Sequence, residues 1–179
     1  MEESDALAIA KAKAGDSDGF HSLVGKHARG VFRLAYRMTG NESDAEDIVQ
    51  ETFMRAYKQL NRYESRASFT TWLYRIAANC SVDVIRGRKV RQPVEVPESL
   101  RDRGPGPERL LYSNQVQDRV SEAMDDLSTQ ERTAFVLRHF EGLSIGEISG
   151  ALGVKANAAK HSIFRAVQKL RKALEPVVS

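Results

Sequence analysis

Residues 141–174 read EGLSIGEISGALGVKANAAKHSIFRAVQKLRKAL. Two apolar patterns run through this stretch, with a glycine between them. Ile145, Ile148 and Leu152 recur at three- and four-residue steps, and Ser144-Ile145-Gly146-Glu147 has capping-box spacing. A short helix is therefore predicted through Leu152. Gly153-Val154 supplies a tight turn. A long basic helix follows, with Ile163, Val167 and Leu170 along one side. The two apolar sets bury each other only if the turn between them is short, so the stretch predicts a helix-turn-helix. The second helix of such a motif projects its start into a major groove, which is wide enough to admit one helix. Lys155, Asn157, Ala158, Lys160, His161 and Arg165 are the candidate duplex contacts, and Lys169, Arg171 and Lys172 would reach phosphates or solvent.

Working outward, two further helices precede the motif. One spans about 112 to 126, with Val116, Val120, Ala123 and Met124 as its apolar set. The next is capped by Ser128-Thr129-Gln130-Glu131 and carries Ala134, Phe135, Leu137 and Phe140. Upstream the pattern stops. Pro93, Pro97, Pro105 and Pro107 fall within residues 92–108, together with Gly104 and Gly106. Proline lacks a backbone donor and glycine adds freedom, so this stretch holds neither a helix nor a sheet ladder. It reads as a flexible linker, residues 92–112, between a domain at 1–91 and a domain at 113–179.

The first domain reads as four helices. The first covers residues 3–14. The second runs from about Asp18 to Thr39 and stops at Gly40. The third begins at Ser43, where Ser43-Asp44-Ala45-Glu46 has capping-box spacing, and buries Ala45, Ile48, Val49, Thr52, Phe53, Ala56, Tyr57 and Leu60. The fourth, residues 69–89, reads FTTWLYRIAANCSVDVIRGRK. Leu73, Ile76, Cys80 and Val84 form its apolar stripe. Trp72, Arg75, Asn79, Asp83 and Arg86 line up on a second face, an unusual set for a solvated surface. No strand pattern and no internal repeat occurs. The fold class is all-α, with two small helical domains joined by a Pro/Gly-rich linker and a C-terminal helix-turn-helix.

Composition narrows the function. The chain has 179 residues, 41% hydrophobic and 28% charged, which is globular. The net charge is only +3, but it is unevenly spread. Residues 62–91 hold seven Arg or Lys against two acids, and residues 152–175 hold six against one. Residues 41–51 hold five acids and no base. Two basic patches on a nearly neutral chain suggest two contacts with a polyanion. No apolar run approaches the roughly 20 residues of a membrane span, and the acidic N-terminus does not read as a secretory signal. The one cysteine, Cys80, permits no intramolecular disulfide and suits a reducing cytoplasm. The four histidines do not cluster, so no metal site is expected. No nucleophile or phosphate loop accompanies the carboxylates, so neither an enzyme nor a cofactor is expected.

Both halves together resemble a known family. DAEDIVQETFMRAYKQLNRYESRASFTTWLYRIAANCSVDVIRGRK (44–89) looks like the second conserved region of bacterial RNA polymerase sigma factors of the extracytoplasmic-function group. LSTQERTAFVLRHFEGLSIGEISGALGVKANAAKHSIFRAVQKLRKAL (127–174) looks like their fourth. The resemblance implies a subunit that directs core RNA polymerase to promoter DNA, with an anti-sigma factor as a further partner. It implies that the second-region domain captures the melted −10 non-template strand and that the helix-turn-helix reads the −35 duplex.

Carried onto this chain, the −10 contacts are Tyr63, Arg66, Ala67, Ser68, Phe69, Trp72, Arg75, Asn79, Asp83, Arg86, Arg88 and Lys89. An unstacked base regains about 1–3 kcal/mol on an aromatic wall, and Asn79 can donate to and accept from a base edge. The acidic third helix resembles the family's polymerase-docking surface, through Asp44, Asp47, Gln50, Glu51, Phe53, Met54 and Tyr57. The chain departs from the family at Asn157-Ala158-Ala159-Lys160-His161-Ser162, where a Gly-Thr-Val start followed by Lys-Ser-Arg is common, which leaves the −35 base preference open. Two other readings differ in class. One is a free-standing helix-turn-helix regulator that binds duplex DNA without polymerase. The other is a helical adaptor whose charged faces bind proteins.

Overall fold

The computed structural model describes residues 2–91 and 107–178, with side chains for 5–87 and 115–175. Most of the expected linker lies outside the described residues. Eight α-helices account for nearly all of the described chain: α1 (Glu2–Lys13), α2 (Ser17–Thr39), α3 (Glu42–Gln59), α4 (Phe69–Arg91), α5 (Pro107–Asp125), α6 (Thr129–His139), α7 (Ile145–Leu152) and α8 (Ala156–Val178). A single 3-10 turn, Leu60–Arg62, extends α3. The all-α expectation holds among the described residues.

The helix ends follow local chemistry. Gly40 closes α2 and Gly153 closes α7, both in the left-handed conformation at φ 66°, each with its N–H on a carbonyl of the last turn. Both expected capping boxes of the second half form, Ser128 with Glu131 and Ser144 with Glu147. The start of α3 differs from expectation. Asn41, not Ser43, is the cap, its side chain accepting from the Asp44 N–H at 2.9 Å. The capping-box match at Ser43 sits inside the helix. Helix α5 begins at Pro107 rather than near 112. A first-turn proline gives up no hydrogen bond there, and its φ is already helical.

Helices α1 to α4 pack around Leu23, Val31, Leu34, Met38, Ile48, Ala56 and Leu73, all nearly fully buried. Gly19 lets α1 and α2 approach: a Cβ there would lie 2.6 Å from the Ala8 carbonyl oxygen and 2.7 Å from the Ala12 nitrogen. Cys80 is in this core, as its apolar stripe predicts, and burial pushes its thiol above the ordinary value. Helices α5 to α8 build a second core on Val136, Leu137, Ile148, Ala159 and Ala166. Within it α7 and α8 pack through Ile148 and Ala151 against Ala159 and Ala166, with Ile145, Leu152 and Ile163 at the margin. The helix-turn-helix is therefore present as expected.

The two cores meet. Helix α7 lies against α4, and α6 lies against the end of α2. A crevice lined by Met38, Thr39, Ile85, Leu127 and Arg132 marks the seam.

Candidate nucleic-acid and polymerase interface

Helix α4 carries the expected second face. Arg75, Asn79, Asp83 and Arg86 are all exposed, while Leu73, Ala77 and Cys80 are buried. Ser68 starts the helix, its Oγ accepting the Thr71 N–H at 3.1 Å. Trp72 is half-buried at one end of the exposed row. It packs at a tilt on Tyr63, 5.1 Å between centroids, and on Phe69 at 5.7 Å. Tyr63 and Phe69 meet edge-to-face at 5.8 Å. Offset and edge contacts of this kind are the favoured aromatic geometries.

The three rings do not share one role. Tyr63 is 6% and Phe69 3% exposed, so both belong to the core and form the backing of the site, which corrects their reading as open contacts. Behind Phe69 the His27 ring sits 5.2 Å away, paired with Asp5 of α1 at 3.2 Å. Burial holds the His27 imidazole below its ordinary value, with Asp5 pulling the other way.

The loop before α4 is exposed from Glu64 to Ser68. Ser65 has φ 58°, a left-handed conformation unusual for serine. The Tyr63 hydroxyl donates to the Ala67 carbonyl at 2.7 Å and closes the loop. Arg66 pairs with Glu64 at 2.9 Å, fully in solvent, where such a pair adds little. Trp72 thus stands between a strained, exposed loop and a row of polar and cationic side chains. The side chains of Arg88 and Lys89, also expected here, lie outside the described residues.

Helix α3 presents Asp47, Gln50, Met54 and Tyr57 to solvent, with Met54 49% and Tyr57 62% exposed. The expectation that Tyr57 is buried is corrected: its ring leans edge-on against Phe20 at 5.0 Å and leaves its far side open. Phe53 is buried, as its place in the apolar set of this helix predicts. It is 6% exposed and supports this face from beneath. Asp44 and Glu51 are intermediate. Between α3 and α4 runs a groove of about 320 Å³, lined by Glu51, Met54, Arg55 and Asp83 among others. Arg55 bridges its walls, with Nε to Glu51 at 2.7 Å and Nη1 to Asp83 at 3.3 Å. The acidic face of α3 and the exposed row of α4 are therefore joined by one ion-pair chain.

Lys155, just before α8, is exposed, as are Asn157, Lys160, His161 and Arg165 on the helix, and Ala158 is intermediate. Lys169 is differently engaged. It bonds Glu131 at 2.8 Å and ties α8 to α6. Burial works to raise the Glu131 carboxyl, but Lys169 and the Ser128 N–H outweigh it and hold the group below its ordinary value. The sequence reading missed Phe164, 59% exposed and on the same side as Asn157 and His161. Its signal was positional: Phe164 lies a helical step off the stripe of Ile163, Val167 and Leu170. An exposed ring among exposed cations, on the outer helix of a helix-turn-helix, can meet a thymine methyl.

The fold and these faces define a two-domain, helix-turn-helix protein with one exposed aromatic–cationic row and one acidic helix. The chain matches the Sigma-70 region 2 family over residues 23–91 and the Sigma-70 region 4 family over residues 117–170. It is 39% identical to the ECF RNA polymerase sigma factor SigE of Mycolicibacterium smegmatis, over 83% of this chain and 59% of that protein. It is 32% identical to the ECF RNA polymerase sigma factor SigW of Bacillus subtilis, over 93% of this chain and 94% of that one. Among solved structures it resembles CnrH, seen in complex with the cytosolic domain of CnrY. The TM-score is 0.73 at 27% identity, covering 98% of this chain and 99% of that one. The chain belongs to the extracytoplasmic-function group of RNA polymerase sigma factors. As such it is a transcription initiation factor. Among the described residues no helix is long and apolar enough to cross a membrane.

Proposed function

We propose that the two domains, residues 1–91 and 113–179, divide the promoter between them. The first captures the melted −10 non-template strand, and the second reads the −35 duplex. The observation that carries this reading is the half-buried Trp72, backed by Tyr63 and Phe69 and flanked by exposed Arg75 and Asn79. A base flipped out of the strand regains on the indole the stacking it loses, at about 1–3 kcal/mol. Asn79 bonds the base edge, while Arg75 and Arg86 follow the phosphates. Asp83 is held by Arg55 and limits how far the strand passes along α4. Binding energy for the single strand offsets the cost of opening the duplex, so the protein needs no catalytic group of its own.

Core polymerase docks on α3 through Asp44, Asp47, Gln50, Glu51, Met54 and Tyr57. Two exposed apolar side chains within an acidic face suit a basic, partly apolar partner. At the other end, Asn157, Lys160, His161 and Arg165 meet the −35 base edges and phosphates. The solved complex of CnrH with the cytosolic domain of CnrY supports an anti-sigma partner for this chain as well. The protein acts in the cytoplasm, where its polymerase is. A free-standing regulator is not favoured, because both polymerase-associated regions are present in order.

Run-off transcription on promoter DNA selected from a random pool tests the reading. Core polymerase alone, core with this protein, and core with the Trp72→Ala, Asn79→Ala double variant are compared. Specific transcripts are expected with the wild-type protein only. A double variant as active as wild type would remove the strand-capture assignment.

A further inference from the structure

Helix α1 carries no residue of the surfaces described above, yet it is tied to the aromatic wall behind Trp72 at two points. The first is Lys13, the last residue of α1. Its Nζ donates to the Tyr63 carbonyl at 2.7 Å, across 50 positions of sequence. The same ammonium lies 5.8 Å from the centroid of the Tyr63 ring, within cation–π range. The second is Asp5. It accepts from Lys26 and pairs with His27 at 3.2 Å, and the His27 ring stands 5.2 Å from Phe69.

The turn between α1 and α2 fixes where Lys13 stands. Gly15 takes φ 91°, a left-handed conformation that glycine adopts readily, and its N–H donates to the Ala12 carbonyl at 3.1 Å. Asp16 then caps α2, its side chain accepting the Asp18 N–H at 3.0 Å. The lysine stem therefore leaves from a hairpin with little freedom, and mainly its own rotamers remain to be ordered.

Tyr63 is where this tie reaches the site. Its carbonyl stands at the start of the exposed loop 64–68, and its hydroxyl closes that loop by donating to the Ala67 carbonyl at 2.7 Å. Within the loop, Ser65 at φ 58° holds a conformation that persists only where its surroundings fix it. The Tyr63 ring lies 5.1 Å from Trp72. A hold on the Tyr63 carbonyl is thus a hold on the loop and on the ring behind the indole. An ammonium donor makes that hold stronger than a neutral one.

We infer that Lys13 is a positioning residue of the −10 site, keeping Tyr63, its loop and the Trp72 wall in the arrangement that receives an unstacked base. The inference rests on the proposed capture of the −10 strand by the first domain. Lys13 acts through Tyr63 and not on the strand, because its ammonium is engaged by the carbonyl. Apparent affinity scales with the fraction of molecules whose site is formed. Losing the tie therefore weakens strand binding while every group that meets the strand is still present.

The test uses Trp72, the only tryptophan of the chain, as reporter. Lys13→Met keeps the stem and removes the donor, and Lys13→Arg keeps a cationic donor. Lys13 is exposed, so both are expected to fold. If Lys13→Met does not fold by circular dichroism, Lys13→Gln replaces it, with the same expected direction. In the free protein, Lys13→Met should shift Trp72 emission to the red and raise its quenching by acrylamide, while Lys13→Arg follows wild type. Bound to core polymerase, Lys13→Met should hold a labelled single-stranded −10 oligonucleotide about three- to tenfold more weakly, the loss of one hydrogen bond. Lys13→Arg should recover most of that affinity. The slope of log affinity against log salt should match wild type for all variants. Unchanged emission, or a Lys13→Arg no better than Lys13→Met, overturns the positioning role. A slope lowered by about 1 makes Lys13 a phosphate contact and overturns it equally. A polymerase-bound wild type that does not bind the oligonucleotide removes the proposed function. A wild type that binds it, with Lys13→Met binding equally well, removes only the role of Lys13.

Discussion

Replacing Trp72 by alanine separates a core residue from a base-stacking one, because the two roles predict different losses. The indole touches Tyr63 and Phe69 in two tilted contacts, each worth about 0.5–1.5 kcal/mol beyond simple burial. Burying a Trp or Phe fully is worth about 3–5 kcal/mol on truncation. Trp72 is only half-buried, so a fold loss of about 2 kcal/mol is expected. For a chain of this size that lowers the melting temperature by about 4–8 °C. The stacking role adds a second loss that stability does not register. One missing base stack costs about 1–3 kcal/mol, a decrease of about 5- to 150-fold in affinity for single-stranded −10 DNA.

Fluorescence anisotropy of a labelled −10 oligonucleotide, with the polymerase-bound protein at fixed salt, measures the second loss. It is run well below the variant's melting temperature. Trp72→Phe retains a ring face and should recover most of the affinity. If Trp72→Ala melts lower yet binds the oligonucleotide as wild type does, the indole is a wedge in the core and the stacking assignment is wrong.

Four further outcomes are expected. Phe164→Ala should leave stability within about 0.5 kcal/mol, since the ring is exposed. If Phe164 meets a thymine methyl, wild-type −35 affinity should fall about fourfold when that thymine becomes uracil, the value of about one methylene, and the variant should not respond. Lys160→Ala and Arg165→Ala should each lower the slope of log affinity against log salt by about 1, and an unchanged slope removes that phosphate contact. Ile148→Ala opens a cavity in the fully buried α7–α8 seam and should cost about 2–5 kcal/mol in urea unfolding, a smaller loss meaning that the motif collapses around it. His27 sets a pH dependence. Burial favours its neutral ring, so its contribution is complete above the unfolded value of about 6.5 and declines as pH falls below it. Urea midpoints at about pH 7.5 and about 5.5 should differ more for wild type than for His27→Gln, and equal differences refute this.

Much of this architecture is local in origin and legible along the chain. The stops at Gly40 and Gly153, the caps at Ser128 and Ser144, and the helix-turn-helix itself depend on residues a few positions apart. Periodicity likewise separates Leu73 and Cys80 from Arg75 and Asn79 on α4, because a helix repeats every 3.6 residues whatever surrounds it. Periodicity sorts side chains by face but does not say what covers each face. Tyr63 and Phe69 are backing rather than open contacts because α1 and α2 close over them through Lys13 and His27. Tyr57 and Phe53 belong to one apolar set, yet only Phe53 is covered: Phe20 of α2 packs edge-on against both rings and leaves the far side of Tyr57 open. The seam between the domains depends on partners far apart in sequence: Arg37 with Glu141, Tyr74 with Glu141, Arg132 with the end of α2. No pattern along a single helix pairs those groups. They meet because each domain leaves one polar edge that the other satisfies, and that complementarity exists only once both cores have formed.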